Sequence, residues 1–153
     1  MKFTLAIKHK VHQACIKVVA DKIKLINQNL AELMHAKTSE TKSSAGDKYE
    51  TGMAMIQNQE ELFKTQRAQY YSQQAALNKL DPGTAHEIAQ RGSLVQTTAG
   101  IFYLSAALGK LELDGMEVFA VSMESPIAQA LENGKVQDEY VVNGLKNRIL
   151  LLI

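Results

Sequence analysis

Two carboxylates, Asp47 and Glu50, stand three residues apart in the run Gly46-Asp47-Lys48-Tyr49-Glu50, where a Ser-rich break gives way to a helical pattern. Side chains three apart at a helix start lie on one face, so both acids could reach a single ion. Carboxylate oxygens are hard ligands suited to Mg²⁺, which takes one or two of them and keeps several waters. A metal held in this way can lower the pKa of a water and orient it for in-line attack on a phosphodiester. The plainer role of the same acids is to complement the helix dipole, worth about 0.3–1 kcal/mol each. His9, His12 and Cys15 form a second set, spaced by three along one helical face. Imidazole and thiolate suit zinc, but a structural zinc site takes four ligands. His35 and His86 are distant in the sequence, so incidental helix residues are the expectation. Cys15 is the single cysteine, which excludes an internal disulfide, and nothing around it resembles a nucleophile signature.

The elements that must position these residues follow from periodicity. Residues from about Phe3 to Lys37 lack proline and glycine, and apolar residues recur at Ile7, Val11, Ala14, Val18, Leu25, Leu30 and Leu33. That spacing predicts an amphipathic helix, on the order of 45–50 Å long at 1.5 Å per residue. The stretch from Thr38 to Gly46 is rich in small hydroxyl residues, which favour caps and turns. A second helix is expected from about Asp47 to Leu80. Tyr49, Ile56, Phe63, Tyr70 and Leu77 fall seven apart, the seam of a coiled coil. Two long helices joined by a short polar break should fold back as an antiparallel hairpin.

Asp81-Pro82-Gly83 stops the second helix, because proline cannot continue it. Strand-like runs follow at Ser93–Thr98, Ile101–Ala106, Leu111–Leu113 and Met116–Ser122, with Asp114-Gly115 as a hairpin signal. Ser125-Pro126 opens a short helix to about Leu131, serine as N-cap and proline at the first position. Two last strands, Glu139–Val142 and Lys146–Leu152, flank Asn143-Gly144. The fold class is therefore α+β: a helical hairpin over 1–81, a linker over 82–91, and a small domain over 92–153 with an antiparallel sheet. Ile101, Leu104, Val118, Phe119, Val121, Ile127, Leu131, Val141, Ile149 and Leu151 are expected in its core or at the margins.

Composition narrows the function classes. The chain of 153 residues carries a net charge of +1, but the part through Leu80 has a net of +5 and the rest a net of −4. A basic half of this kind suits a partner with an acidic surface. The first 24 residues hold six lysines and one acid. They lack the interleaved aromatics of a single-strand nucleic-acid platform, so direct nucleic-acid recognition is not expected. No run approaches the ~18 apolar residues of a membrane span, and the opening residues are too short an apolar stretch for a secretory signal. A cytoplasmic protein is expected. No Gly-rich phosphate loop follows a strand, which removes support for nucleotide binding.

Ser125-Pro126-Ile127-Ala128, then Ala130-Leu131, Gly134-Lys135 and Asp138-Glu139, resemble the C-terminal signature of the bacterial Gre transcript-cleavage factors. Gly46-Asp47-Lys48-Tyr49-Glu50 is similar to the Gly-Asp-x-x-Glu segment at that family's coiled-coil tip. The resemblance implies an FKBP-like C-terminal domain behind a coiled coil, and RNA polymerase as the partner. It implies that the coiled coil enters the polymerase's secondary channel, with Asp47 and Glu50 presented beside the catalytic metal. Ser125, Pro126, Ile127, Lys8 and Lys10 would then contact polymerase. No cofactor would be held stably, Mg²⁺ being shared inside the complex, and the protein would not itself be an enzyme. This chain departs from the family where Glu50 leads into Thr51-Gly52-Met53 and where Lys48 sits between the acids. The alternative is a non-catalytic regulator of Gre type, or a coiled-coil interaction module, with the same architecture and no cleavage activity. A prolyl isomerase is disfavoured, because such a pocket relies on an aromatic-lined floor and the chain has no tryptophan.

Overall fold

The computed structural model describes residues 3–41 and 46–153, with side chains outside 40–49. Helix α1 (Leu5–Thr41) and helix α2 (Gly46–Asn78) precede six strands and one short helix. The chain divides into two compact units, one of Met1–Val18 with Gln73–Ile153 and one of Val19–Ser72. The division therefore falls inside the helices, and the first turns of α1 and the last turn of α2 belong with the sheet.

The unit of Val19–Ser72 is an antiparallel helix pair. Lys22 Nζ sits 5.7 Å from the Tyr70 ring centroid, Arg67 donates to Asn27 Oδ1 at 3.2 Å, and Lys37 pairs with Glu60 at 3.6 Å. As the number on α1 rises its partner on α2 falls, which is the register of a hairpin. Val19, Ile26 and Leu30 are buried in the seam, with Ile56, Phe63 and Tyr70 of the seven-residue line half-buried against it. The polar pairs at the margins of the seam contribute little by themselves; the apolar seam holds the two helices together.

The other unit is built on a mixed six-stranded sheet of order β3-β4-β2-β1-β6-β5. Its strands are β1 (Leu94–Thr97), β2 (Gly100–Leu104), β3 (Gly109–Leu113), β4 (Met116–Val121), β5 (Glu139–Val142) and β6 (Leu145–Leu152). Every pairing is antiparallel except β2 with β4, which run parallel from Ile101↔Val118 to Leu104↔Val121. The all-antiparallel expectation is corrected at this point. β4 carries the buried Val118 and Ala120, whereas β3 exposes Lys110 and Glu112. Burial draws β4 inward beside β2, and the charged strand takes the edge, where charge also discourages further pairing.

The sheet is covered on both faces. On one, Val95, Leu104 and Ile149 pack with Ala89, Tyr140 and the Ala128 and Leu131 side chains of helix α3 (Pro126–Leu131). On the other, Tyr103 meets His12 of α1, and its cross-strand neighbours Leu94 and Ala120 are buried beside it. Val141 and Leu151 are 60% and 44% exposed, so neither belongs to the core. Val141 is on the edge strand, on the face opposite the buried Tyr140. Leu151 follows a register shift between Gln96 and Thr97 that pairs it with Gln96.

Candidate functional site

Asp47 and Glu50 both fall in the first turns of α2, which begins at Gly46. The three-residue spacing therefore runs along a helix, as the sequence implied. Glu50 is exposed, while the Asp47 side chain lies outside the described residues, as do those of Lys48 and Tyr49.

The C-terminal signature resolves into structural work. Ser125 Oγ accepts from Ala128 N at 3.2 Å and donates to Ser122 O at 2.7 Å, which caps α3. Pro126 takes the first helical position, where a missing N–H costs nothing, and Ile127 packs against the core. Gly134 accepts from Ala89 N at 2.8 Å, and Asp138 Oδ2 accepts from Lys135 N at 2.9 Å to close the following turn. Glu139 is clamped by Lys146 and Arg148, both at 2.9 Å. Those two cations, Lys146 first, hold its carboxyl below the usual range. Most of the motif thus has a local structural role.

The two lysines expected at a partner surface behave differently. Lys10 is exposed and pairs with Asp114 at 3.4 Å. Lys8 is 0% exposed and donates to Thr84 O at 2.7 Å, which removes it from any docking surface. Burial pushes its pKa down to about 8, against the pull of Asp81. Asp81 in turn accepts from Gly83 N at 2.9 Å and Thr84 Oγ1 at 2.8 Å, and these bonds hold its carboxyl low. Nearby, His12 Nδ1 shares a 2.7 Å bond with Tyr103 OH, and His86 Nδ1 shares one of the same length with Ser93 Oγ. Burial lowers both imidazoles, His12 further by His9 and His86 further by Lys8. Cys15 is buried with its thiol pushed up to about 12, which disfavours the thiolate a metal would need. Among the described residues no group of three or more His, Cys, Asp or Glu is placed to hold a metal. Sequence reasoning missed this polar set because a lysine mid-pattern reads as solvent-facing. The Asp81-Pro82-Gly83-Thr84 turn was the available signal, since Asp accepts readily from residues two and three ahead.

The lowered imidazoles fix a pH dependence. The unfolded chain binds protons at His12 and His86 near 6.5, whereas the folded chain resists them, so stability falls as pH drops below about 6.5. Lys8 acts in the same sense higher up, and stability should rise from pH 8 to 9 as its ammonium is lost. Above that, Cys15 and Tyr103, whose pKa values are raised by burial, act in the opposite sense. Thermal melts by circular dichroism should therefore give a lower Tm at pH 5.5 than at pH 7.5. A flat profile across that interval would show that the imidazoles are not held neutral.

A groove of about 380 Å³ lies on the sheet face beside the start of α1, lined by Phe3, Ile7, Gln96, Ile101, Asp114 and Met116. Among the described residues, no helix is long and apolar enough to cross a membrane.

No protein-family model matches the chain, and neither does any curated protein. Among solved structures it is similar to the GreA factor homolog 1 (Gfh1) protein of Thermus thermophilus. The identity is 16% and the TM-score 0.34, over 92% of this chain and 95% of that one. A second structure, of the transcription factor Gfh1, matches at 16% identity and a TM-score of 0.37, over 91% and 93%.

Proposed function

We propose that this chain is a transcription elongation factor of Gre type, which binds RNA polymerase and places the α1–α2 end of its hairpin in the secondary channel. The observation that carries this reading is the antiparallel helix pair, with Asp47 and Glu50 three apart in the first turns of α2. The capped, tightly turned segment from Ser125 to Glu139 supports it, because it is the motif through which the sequence resembles that family. In this reading the small domain is FKBP-like and docks on polymerase through the region of Ser125, Pro126 and Ile127, with Lys10 adding charge. The protein works in the cytoplasm and is an accessory to the polymerase's own reaction.

The tip carboxylates give the reading its chemistry. Two carboxylates suit Mg²⁺ but are too few to hold it alone, so polymerase would supply the remaining ligands. The ion, when shared in this way, would supply an activated water for phosphodiester cleavage. What the chain itself contributes is position: a helix start that sets the two acids three residues apart. The test is RNA cleavage by a deliberately backtracked polymerase complex, with wild-type protein and with Asp47→Ala plus Glu50→Ala. Stimulation by the wild type that falls to the factor-free rate in the double variant is expected, with unchanged polymerase binding. Binding without stimulation would make the chain a Gre-type regulator, and loss of binding in a polymerase pull-down would remove both readings.

A further inference from the structure

The cover that α1 lays over one face of the sheet contains a charged group where an apolar one would serve. Lys8 is wholly buried, yet Thr84 O is its hydrogen-bond partner and, among the described residues, no carboxylate lies within ion-pair distance of its Nζ. An ammonium has three donors to satisfy, so a buried one bonded to one carbonyl, with Asp81 attracting it only from beyond ion-pair distance, loses more hydration than it regains. One turn further, the contact is again polar: His12 against Tyr103, edge to face with ring centroids 6.0 Å apart. Asp81 and His86 lie on the 81–93 side of the same seat, and His9 lies on the α1 side. At the start of the helix, Phe3 and Ile7 border an open groove instead of closing over Ile101 and Met116. The opposite face differs in its polar content, because the buried residues of α3 are Ala128 and Leu131 alone, whereas α1 buries Lys8 and His12 beside the apolar Val11 and Cys15. Beneath α1, Leu94, Tyr103, Val118 and Ala120 make a continuous apolar surface across β1, β2 and β4.

We propose that the first turns of α1, residues 5–18, form a releasable cover on this sheet face, and that the buried Lys8 is the residue that keeps the cover releasable. Release uncovers the apolar surface around Tyr103 while the α3 side of the sheet stays packed. The device is independent of the polymerase reading and is tested on the isolated full chain.

Native-state hydrogen exchange, followed by mass spectrometry of peptic fragments across a low-denaturant series, separates local from global opening. In the wild type, amides of 5–18 are expected to exchange at least ten-fold faster, relative to their intrinsic rates, than those of β1 and β6. Lys8→Met is one atom shorter, keeps the unbranched shape and removes the charge, and Thr84, itself an exposed residue, can turn its carbonyl to water. That variant should slow exchange in 5–18 about ten-fold or more and leave 126–131 unchanged. Exchange of 5–18 in step with β1 and β6 in the wild type would overturn the proposal. So would unchanged or faster exchange of 5–18 in folded Lys8→Met. If Lys8→Met does not fold, the wild-type comparison decides alone.

Discussion

Replacing Tyr103 with alanine is expected to destabilise the sheet unit by about 3–5 kcal/mol, the usual cost of deleting a fully buried aromatic side chain. Tyr103 is 0% exposed, sits on β2 between Leu94 and Ala120, and is among the largest fully buried side chains. Removing the ring leaves a void between sheet and α1 that the backbones on either side can fill only in part. Tyr103→Phe separates the hydroxyl from the ring. It keeps the packing and orphans His12 Nδ1, which now bonds the phenol at 2.7 Å, at a cost of about 1–3 kcal/mol for a buried unsatisfied group. Urea denaturation of the three proteins should order them wild type, phenylalanine, alanine. A phenylalanine variant as stable as the wild type would mean that packing alone seats α1.

The second large effect is at Gly134. A Cβ there would stand 2.7 Å from Ile149 Cδ1 and 2.9 Å from Leu131 O, closer than real Cβ atoms come. The obstacle is space and not backbone conformation, since Gly134 is not among the glycines with positive φ. Gly134→Ala should cost about 1–3 kcal/mol by overpacking, and valine more. Ile149→Val removes the Cδ1 atom and by itself should cost about 0.5–1.5 kcal/mol. Because it also clears one of the two clashes, the pair Gly134→Ala with Ile149→Val should lose less than the sum of the singles. A double-mutant cycle in urea measures the difference. Strict additivity would mean that the clash with the Leu131 carbonyl dominates.

The outline of the fold was legible in the sequence where local chemistry decides it. The seven-residue line from Ile56 to Leu77 and the proline-free run before Lys37 specify helices through side-chain period alone. Asp114-Gly115 and Asn143-Gly144 could be read as two-residue hairpins because all four residues adopt positive φ, from 50 to 78, which Asn, Asp and Gly tolerate best. Ser125-Pro126 could be read as a helix start because cap and first-position preferences act within one turn. What escaped is non-local. The parallel partnership of β2 with β4 depends on which strand buries more side chain once the sheet assembles. The burial of Lys8 depends on a turn 76 residues away, and no window of sequence contains both. For the acids near the hairpin turn, spacing on one helix was legible, while their chemistry depends on a partner that the sequence does not include.

The place of β1 in the sheet carries a consequence for biosynthesis. β1 lies between β2 and β6, and Leu94 exchanges backbone hydrogen bonds of 2.8 and 3.0 Å with Ile153. The helices and the first five strands are synthesised before β6, the strand that completes β1. Until β6 arrives, the edge of β1 is bare and Val95 and Leu104 lack Ile149, the condition under which nascent chains aggregate or recruit chaperones. A chain truncated after β5 should therefore be insoluble and protease-sensitive, although five of the six strands are present.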